Sequence, residues 1–331
     1  MKVSVVIPCY RSGATLPALV HGLREELPRS CEDYEIILVV DGPPDDTYAV
    51  AHHLETEDPG RTRAVLLRRN YGQHNALLAG LTRAQHPITV TMDDDLQHRP
   101  DQVAALLAPL ADPLVDLVYG VADVEEHGVL RSFASRSVKT ALSMSGVPNA
   151  QTTGAFRAFR TELREAFAAS VDPFVSIDVV LSWTTTGVVG VPVRMDAREV
   201  GTSGYTLRGL ARHTWNMVTG YGTAPLRGVF WMGILTALVG LGALLVVLVM
   251  YFTGQITVPG FTSLVCLMAI FSGVTMLSIG IVGEYLGRLH FRSMHQPNYL
   301  VRIERGGTYD PGGAAADAIA RAVAERSSTS G

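Results

Sequence analysis

The feature that most constrains this chain is a long C-terminal stretch without a charged side chain. No Asp, Glu, Lys or Arg occurs from Val229 to Gly283. Two apolar runs, Val229 to Phe252 and Phe261 to Gly283, lie within this stretch on either side of a short loop. A bilayer core needs roughly 20 apolar residues in helical form, and each run supplies that length. We therefore predict a pair of transmembrane helices at about 229–252 and 261–283, in preference to two helices buried in a soluble core.

Basic residues flank the charge-free stretch on both sides, whereas the loop between the two runs carries no charge. The flanking residues are Arg208, Arg212 and Arg227 before the first run and Arg288, Arg292 and Arg302 after the second. Loops on the cytoplasmic side of a membrane are enriched in Lys and Arg. We therefore expect a multi-pass protein of the cytoplasmic membrane with its N-terminal part and both termini on the cytoplasmic side.

The overall composition excludes several other classes of protein. The formal net charge of -4 argues against a nucleic-acid binder, which would carry a basic excess. The three cysteines, Cys9, Cys31 and Cys266, are too few and too scattered for a disulfide framework or a zinc site. The segment Met1 to Pro8 lacks the apolar length of a signal peptide and is typical of a first β-strand.

Residues 1–205 have a different pattern, in which strand-like runs alternate with stretches of helical periodicity. The strand-like runs are Val3–Pro8, Glu35–Val40, Ala64–Leu67, Ile88–Met92 and Leu114–Tyr119. This alternation predicts an α/β fold with a mostly parallel sheet and helices on both faces. Ligands of such sheets bind at the carboxyl ends of the strands. Tyr10, Asp41 and the acids from Asp93 to Asp95 follow three of these strands, so we expect the functional site there.

The acidic triplet Asp93, Asp94 and Asp95 is the strongest local signal for chemistry. Adjacent carboxylates repel one another unless a cation or solvent neutralises them. Mg²⁺ and Mn²⁺ favour one or two carboxylates together with substrate phosphates, and Asp93 and Asp95 lie on the same side of a strand-like chain. Such an ion would stabilise the charge on a departing diphosphate. A solvated acidic turn that caps the helix after Pro100 explains the same composition equally well. Asp41 is a weaker candidate, suited to accept hydrogen bonds from a base or ribose.

The remaining segments divide into a juxtamembrane part and a tail. Residues 206–227 are either an amphipathic helix in the membrane interface or a helix packed on the N-terminal domain. The two spans occupy 228–284, a cytosolic segment follows at 285–304, and residues 305–331 are rich in Gly, Ala and Ser, which predicts a mostly flexible tail.

Several motifs together resemble glycosyltransferase family 2, and more narrowly its polyprenyl-phosphate glycosyltransferases. This branch includes dolichol-phosphate mannose synthases, undecaprenyl-phosphate glucosyltransferases and the aminoarabinose (formamido) transferases. The motifs are Val5–Tyr10, Val40–Thr47, Arg69–Ala76 and Met92–Gln97, followed by Ala197–Tyr205, Thr223–Arg227, Gly283–Arg288 and Gln296–Tyr299. Their joint order with two apolar spans is far more specific than any single motif.

The resemblance implies a GT-A (Rossmann-like) fold and assigns residues to a donor pocket. The nucleotide-binding residues would be Pro8, Tyr10, Asp41 and Asn70. The metal and diphosphate ligands would be Asp93, Asp95 and Gln97, with Asp94 adding charge beside them. Asp93 and Asp95 would also be catalytic, through the metal.

A second group of residues is implied to bind the acceptor phosphate. It comprises Arg131 and Ser135, which would also be catalytic, and Arg136, with Arg157 and Arg198 as further phosphate contacts. Guanidinium groups offer charge-assisted hydrogen bonds to phosphate, and Ser135 adds a hydroxyl donor. Without the resemblance, an exposed basic helix face would explain the segment from Arg131 to Arg136.

The implied activity is an inverting transfer of one sugar from a nucleotide diphosphate sugar, with UDP favoured, to undecaprenyl or decaprenyl phosphate. It would depend on Mg²⁺ or Mn²⁺ and serve modification of cell-envelope glycans, and the resemblance also implies self-association into a homo-oligomer. A processive polysaccharide synthase is the nearest alternative, but no Gln-x-x-Arg-Trp sequence occurs near Trp183, Trp215 or Trp231. A non-catalytic scaffold or transport subunit is the other, but the predicted spans lack the ionisable residues that transport needs.

The chain departs from the family pattern at several positions. Arg11-Ser12 replaces the usual Asn-Glu, Val40 replaces the first of two acids, and Gly204 stands where Lys is frequent. The segment Thr152 to Arg157 lacks the acids that many relatives carry, one of which has been proposed as a base. A phosphate monoester is largely dianionic at neutral pH, so this acceptor needs no proton removed before it attacks.

Overall fold

The described part of the chain divides into two units. The computed structural model describes residues 1–42, 45–122, 153–168, 176–196, 224–253, 260–294 and 297–304. One unit contains the N-terminal α/β domain together with the described residues after residue 294. The other contains two long C-terminal helices. The predicted juxtamembrane helix at 206–227 lies almost entirely outside the described residues, and so does the predicted tail at 305–331.

The first unit is built on a mixed sheet of eight described strands. They are β1 (Lys2–Cys9), β2 (Asp33–Val40), β3 (Thr62–Leu67), β4 (Ile88–Thr91), β5 (Leu117–Ala122), β6 (Arg157–Arg160), β7 (Val188–Val193) and β8 (Val301–Glu304). Their order in the sheet is β7-β5-β6-β4-β1-β2-β3-β8. The pairs β1–β2, β2–β3, β1–β4 and β5–β7 are parallel. The pairs β4–β6, β5–β6 and β3–β8 are antiparallel. The α/β prediction is confirmed.

Six α-helices accompany the sheet in the described residues of this unit. They are α1 (Leu16–Ser30), α2 (Thr47–Glu57), α3 (Gln73–Leu81), α4 (Val103–Leu107), α5 (Glu165–Ala168) and α6 (Ile177–Thr184). Helix α1 shows how the sequence sets this packing. It has a Pro in its first turn, and its buried residues are Leu16, Leu19, Val20, Leu23 and Leu27. That spacing forms one apolar stripe along a helix.

The central strands are buried on both faces, which explains their continuous apolar runs. Alternate residues of one strand point to opposite faces of the sheet. Accordingly, Val5 and Ile7 of β1 join a core that includes α1, α2 and α4. Val6, between them, joins a second core that includes α3, α5 and α6. These two cores fix the strand register and hence the positions of the loops that follow.

The five predicted strands are all present, with boundaries that differ by a few residues. Strand β5 begins at Leu117, whereas the prediction began at Leu114, whose side chain is 80 % exposed. Strands β6, β7 and β8 were not predicted. Strand β6 is a four-residue run with an Arg at each end, and β7 contains a Gly and a Pro, so neither has the apolar continuity of the central strands.

The edge strand β8 lies next to β3 and follows the second long helix in the chain. Glu304 of β8 forms an ion pair with Arg83 at 2.7 Å, and the hydroxyls of Tyr299 and Thr82 are 2.9 Å apart. The predicted cytosolic segment 285–304 therefore contains a helical end and a strand of the α/β sheet.

The second unit contains α7 (Ala224–Phe252) and α8 (Phe261–Ser293). Each is long and apolar enough to cross a membrane, with qualifying windows at Pro225–Gly242 and Ile270–Gly287. Large apolar side chains such as Trp231 and Met276 are more than 60 % exposed, and none of the described side chains in the qualifying windows is buried. Exposed apolar surface of this extent is typical of a membrane contact. Helix α7 starts five residues before the predicted span, and α8 continues ten residues beyond its predicted end.

Candidate active site

A cavity lies at the carboxyl ends of β1, β2 and β4. Strand β1 lies between β2 and β4, so the chain builds outward from β1 on one side and then returns to its other side with β4. Open α/β sheets bind ligands in the crevice at such a switch point. The cavity has a volume of about 230 Å³ and is lined by Pro8, Cys9, Tyr10, Asp41, Asn70, Gly72, Gln73, Asp93, Asp94 and Asp95.

This lining brings together most of the residues predicted for the donor pocket. Pro8 lies near the end of β1, Tyr10, Asp41 and Asn70 come from three separate loops, and the three consecutive acids come from a fourth. The predicted metal ligand Gln97 is not among the lining residues of the described part. Its backbone N–H donates to Oδ1 of Asp95 at 3.2 Å, so it lies in the same turn.

Asp93 is held from two directions. The side-chain Nε2 of Gln73 donates to Oδ1 of Asp93 at 2.5 Å, and the backbone N–H of Asp93 donates to Nδ1 of His98 at 2.9 Å. The His98 ring is buried and stacks on Phe156. Burial is the main reason why the pKa of His98 falls to about 4, so the ring is neutral and accepts this hydrogen bond.

Asp94 faces a different group from its two neighbours. Its Oδ2 accepts a hydrogen bond of 2.9 Å from the backbone N–H of Tyr10, and its carbonyl accepts one of 2.6 Å from the Thr15 hydroxyl. Burial raises the pKa of Asp94 to about 6, and the bond from Tyr10 opposes that rise. Asp94 therefore fixes the loop after β1, in which Arg11 has a positive φ of 56°.

Asp41 is buried and anchors the loop before α3. Its Oδ1 accepts from the backbone N–H of Tyr71 and its Oδ2 accepts from that of Gly72, both at 2.7 Å. Burial raises the pKa of Asp41, while these two bonds oppose the rise. Each carboxylate oxygen is thus already engaged by the protein, which limits what Asp41 has left to offer a base or ribose.

The residues present match part of a divalent-cation site. In the described residues there is no group of three His, Cys, Asp or Glu side chains with metal-binding geometry. Asp93 and Asp95 nevertheless line one cavity, and they supply the one or two carboxylates that Mg²⁺ typically takes from a protein when phosphate oxygens complete its shell. The donor set therefore fits a cation that binds together with a diphosphate.

Arg157 is buried near the site and is not among the residues that line the cavity. It is 1 % exposed, its Nε donates to the Thr91 hydroxyl at 2.9 Å, and its Nη1 donates to Oδ1 of Asp178. The Tyr119 hydroxyl donates to the same oxygen at 3.1 Å. Burial alone would lower the pKa of Arg157, but Asp178 raises it, so the guanidinium stays charged. These contacts do not support the predicted phosphate contact of Arg157, which stays a prediction.

Three residues around the site were not singled out from the sequence. Gln73 belongs to the motif Arg69–Ala76, but its contact with Asp93 joins two distant segments. His98 follows the acidic motif and has no separate signal in the sequence. Asp178 lies in an apolar helix, with no neighbouring signal. The predicted acceptor-site residues Arg131, Ser135, Arg136 and Arg198 lie outside the described residues.

Comparison with known proteins identifies the family. The model of "Glycosyl transferase family 2" matches residues 4–167. The undecaprenyl-phosphate 4-deoxy-4-formamido-L-arabinose transferase of Enterobacter sp. (strain 638) is 32% identical over 310 residues, which cover 92% of this chain and 94% of that protein. The protein of the same name from Klebsiella pneumoniae subsp. pneumoniae is 31% identical and covers 91% of this chain and 93% of its own length.

The solved structures that match have lower sequence identity. Mannosyl-3-phosphoglycerate synthase from Rubrobacter xylanophilus has 17% identity and a TM-score of 0.47, over 69% of this chain and 75% of that one. A Pyrobaculum calidifontis mannosyltransferase in complex with GDP-Man and Mn²⁺ has 20% identity and a TM-score of 0.47, over 66% of this chain and 61% of that one. With relatives of about 30% identity along nearly its whole length, this chain belongs to glycosyl transferase family 2 and is a glycosyltransferase.

Proposed function

We propose that this enzyme transfers a single sugar from a nucleotide diphosphate sugar to a polyprenyl phosphate, with inversion at the anomeric carbon. UDP is the favoured nucleotide, and undecaprenyl or decaprenyl phosphate is the favoured acceptor. The observation that carries the proposal is the placement of Asp93 and Asp95 in one cavity with Pro8, Tyr10 and Asn70, in a chain that also contains two exposed apolar helices.

The choice of acceptor rests on the similarity to the formamido-arabinose transferases. Their names specify undecaprenyl phosphate, and the similarity covers 92% of this chain, so it includes most of the region of α7 and α8. A polyprenyl chain partitions into the bilayer, and an enzyme anchored there meets its acceptor at the membrane surface. The product would be a lipid-linked sugar for the modification of envelope glycans.

The donor is proposed to bind at the carboxyl ends of β1, β2 and β4. Asp93 and Asp95, with Gln97 nearby, would hold Mg²⁺ or Mn²⁺ against the diphosphate. When bound, the cation would stabilise the negative charge that develops on the leaving nucleotide diphosphate. Asp94 and Asp41 contribute by holding the loops that carry Tyr10 and Asn70, because both carboxylates accept backbone hydrogen bonds there.

The transfer step needs no protein base. An oxygen of the acceptor phosphate forms a bond to the anomeric carbon while the bond from that carbon to the diphosphate breaks, and the nucleotide diphosphate leaves with the electron pair. The phosphate is largely dianionic at neutral pH, so no proton has to be removed first. The described segment from Thr153 to Arg157 contains no carboxylate, in keeping with such a mechanism. Positioning and electrostatic stabilisation would supply the rate enhancement.

The acceptor phosphate is proposed to contact Arg131, Ser135 and Arg136, with Arg198 as a further contact, on the basis of the family resemblance. The proposed topology places both termini and the α/β domain on the cytoplasmic side, since Arg residues flank both spans. Self-association into a homo-oligomer is part of the same proposal and rests on resemblance alone.

The proposal is tested by exchanging one carboxylate in the cavity and one outside it. We expect Asp95→Ala to reduce sugar transfer at saturating Mg²⁺ by at least about 100-fold, on the scale of losing one preorganised transition-state stabiliser. Asp101→Ala is the matched control, because Asp101 is paired with exposed Arg99 outside the cavity. Purified protein is assayed for lipid-linked sugar and free nucleotide diphosphate. Full activity of Asp95→Ala would refute the metal assignment.

A further inference from the structure

The side chain of Gln73 joins two loops of the candidate active site. Gln73 is the first residue of α3, and its Nε2 donates a hydrogen bond of 2.5 Å to Oδ1 of Asp93, in the turn after β4. Gln73 lines the cavity and is otherwise exposed. Because an exposed side chain contributes little to the core, we look for the role of this contact in the active site.

Hydrogen bonds to a buried carboxylate fix the turn that precedes Gln73. Asp41 is 3 % exposed and accepts the backbone N–H groups of Tyr71 and Gly72, the two residues that precede Gln73. Gly72 has a φ of 90°, a conformation that favours glycine, and its N–H also donates to Oδ1 of Asn70 at 3.1 Å. The start of α3 is therefore held by a buried carboxylate at the end of β2, and the position of Gln73 follows from that anchor.

We infer that Gln73 is a positioning residue that orients the carboxylate of Asp93 toward a divalent cation and the donor diphosphate. The inference rests on the proposed function. A primary amide donates to one oxygen of Asp93 without bringing a positive charge, so the full negative charge of the carboxylate remains for the cation. Carboxylates that bind metals are commonly held by such hydrogen bonds, and losing the partner typically weakens metal affinity roughly 10- to 100-fold.

The experiment measures Mn²⁺ binding to the full chain in detergent with UDP present, by the electron paramagnetic resonance signal of free Mn²⁺. Gln73→Ala removes the amide, and Gln73→Asn keeps an amide on a side chain one methylene shorter. The matched control is Gln85→Ala, which truncates another exposed Gln just beyond the same helix and outside the cavity. Thermal unfolding of each variant reports on the fold.

We expect both Gln73 variants to bind Mn²⁺ roughly 10-fold more weakly than the wild-type chain. Their melting temperatures should be unchanged, and most of the wild-type kcat should return at saturating Mn²⁺. Gln85→Ala should match the wild type in all three measurements. Wild-type Mn²⁺ affinity in both Gln73 variants would overturn the inference, and so would a loss of kcat that saturating Mn²⁺ does not restore. If the wild-type chain binds no Mn²⁺ with UDP, the proposed metal role fails, and this inference fails with it.

Discussion

The guanidinium Nε of Arg157 donates a hydrogen bond of 2.9 Å to the hydroxyl of Thr91, its register partner across the β4–β6 pair. Thr91 precedes Asp93 by two residues, so a buried cation lies next to the start of the acidic turn. The same guanidinium forms an ion pair with Asp178 of α6. One buried side chain thus connects a central strand, an antiparallel strand and a helix directly beneath the candidate active site.

This connection predicts that Arg157→Met strongly destabilises the α/β domain. The substitution leaves Asp178, which is only 18% exposed, without its cation and leaves the Thr91 hydroxyl without its donor. Breaking one side of a buried pair costs about 3–5 kcal/mol. Denaturant unfolding in detergent measures the loss. The control is Arg29→Ala, which removes an exposed pair with Glu26 and should cost no more than about 0.5 kcal/mol. A loss below about 1 kcal/mol for Arg157→Met would contradict this account.

The raised pKa of Asp94 predicts a specific pH dependence of the free energy of unfolding of the metal-free protein. The pKa of Asp94 is about 6 in the folded chain, against an ordinary value of 3.8, so the folded state binds this proton more tightly than the unfolded state. The resulting stabilisation is fully present below about pH 4 and is lost as the pH rises through about 6. A shift of this size corresponds to at most about 3 kcal/mol.

Asp94→Asn isolates this effect, because the amide oxygen still accepts from Tyr10 but cannot ionise. In EDTA, the free energy of unfolding of the wild-type chain should fall relative to that of Asp94→Asn between pH 4 and pH 7. The variant should therefore be the more stable protein at pH 7.5. Parallel stability curves for the two proteins over this range would rule out a raised pKa at Asp94.

Two loops of the donor pocket pack so closely at Gly42 that there is no room for a side chain at this position. The φ of Gly42 is +64°, and a Cβ at this position would lie 2.2 Å from the backbone carbonyl carbon of Arg69 and from the backbone nitrogen of Asn70. We expect Gly42→Ala to destabilise the domain by more than about 1 kcal/mol and to weaken UDP binding, because the loops must separate. Gly60→Ala is the control, since nothing lies within 4 Å of its added Cβ. Equal melting temperatures and UDP affinities for the two variants would disprove this contact.

The sequence predicted the parallel centre of the sheet because those strands are buried on both faces and read as continuous apolar runs. Val3 to Pro8 and Glu35 to Val40 are examples, and both lie inside observed strands. Strands β6 and β8 were not predicted because each is a four-residue run with two charged side chains, and each pairs with a strand far away in the chain. Glu304 of β8, for instance, meets Arg83 across more than two hundred residues of chain.

The donor pocket was predicted because its acids and Tyr10 directly follow strands, and strand ends gather at one edge of a parallel sheet. The sequence could not predict which groups each acid contacts. Asp41 and Asp94 hold backbone N–H groups of loops from other parts of the chain. Arg157 is a residue type that often binds phosphate. Its burial beside Asp178 depends on the position of β6, which lies antiparallel between β4 and β5, and the local sequence does not encode that position.

The most direct test of the central claim is the mass of the lipid product. Purified chain in detergent is incubated with Mg²⁺, undecaprenyl phosphate and a panel of UDP- and GDP-sugars, and the lipid fraction is analysed by mass spectrometry. We predict undecaprenyl phosphate carrying one sugar, with one nucleotide diphosphate released per product and no product when the lipid phosphate is omitted. Two results would contradict the account: a lipid that carries more than one sugar, or release of nucleotide diphosphate that does not depend on the lipid phosphate.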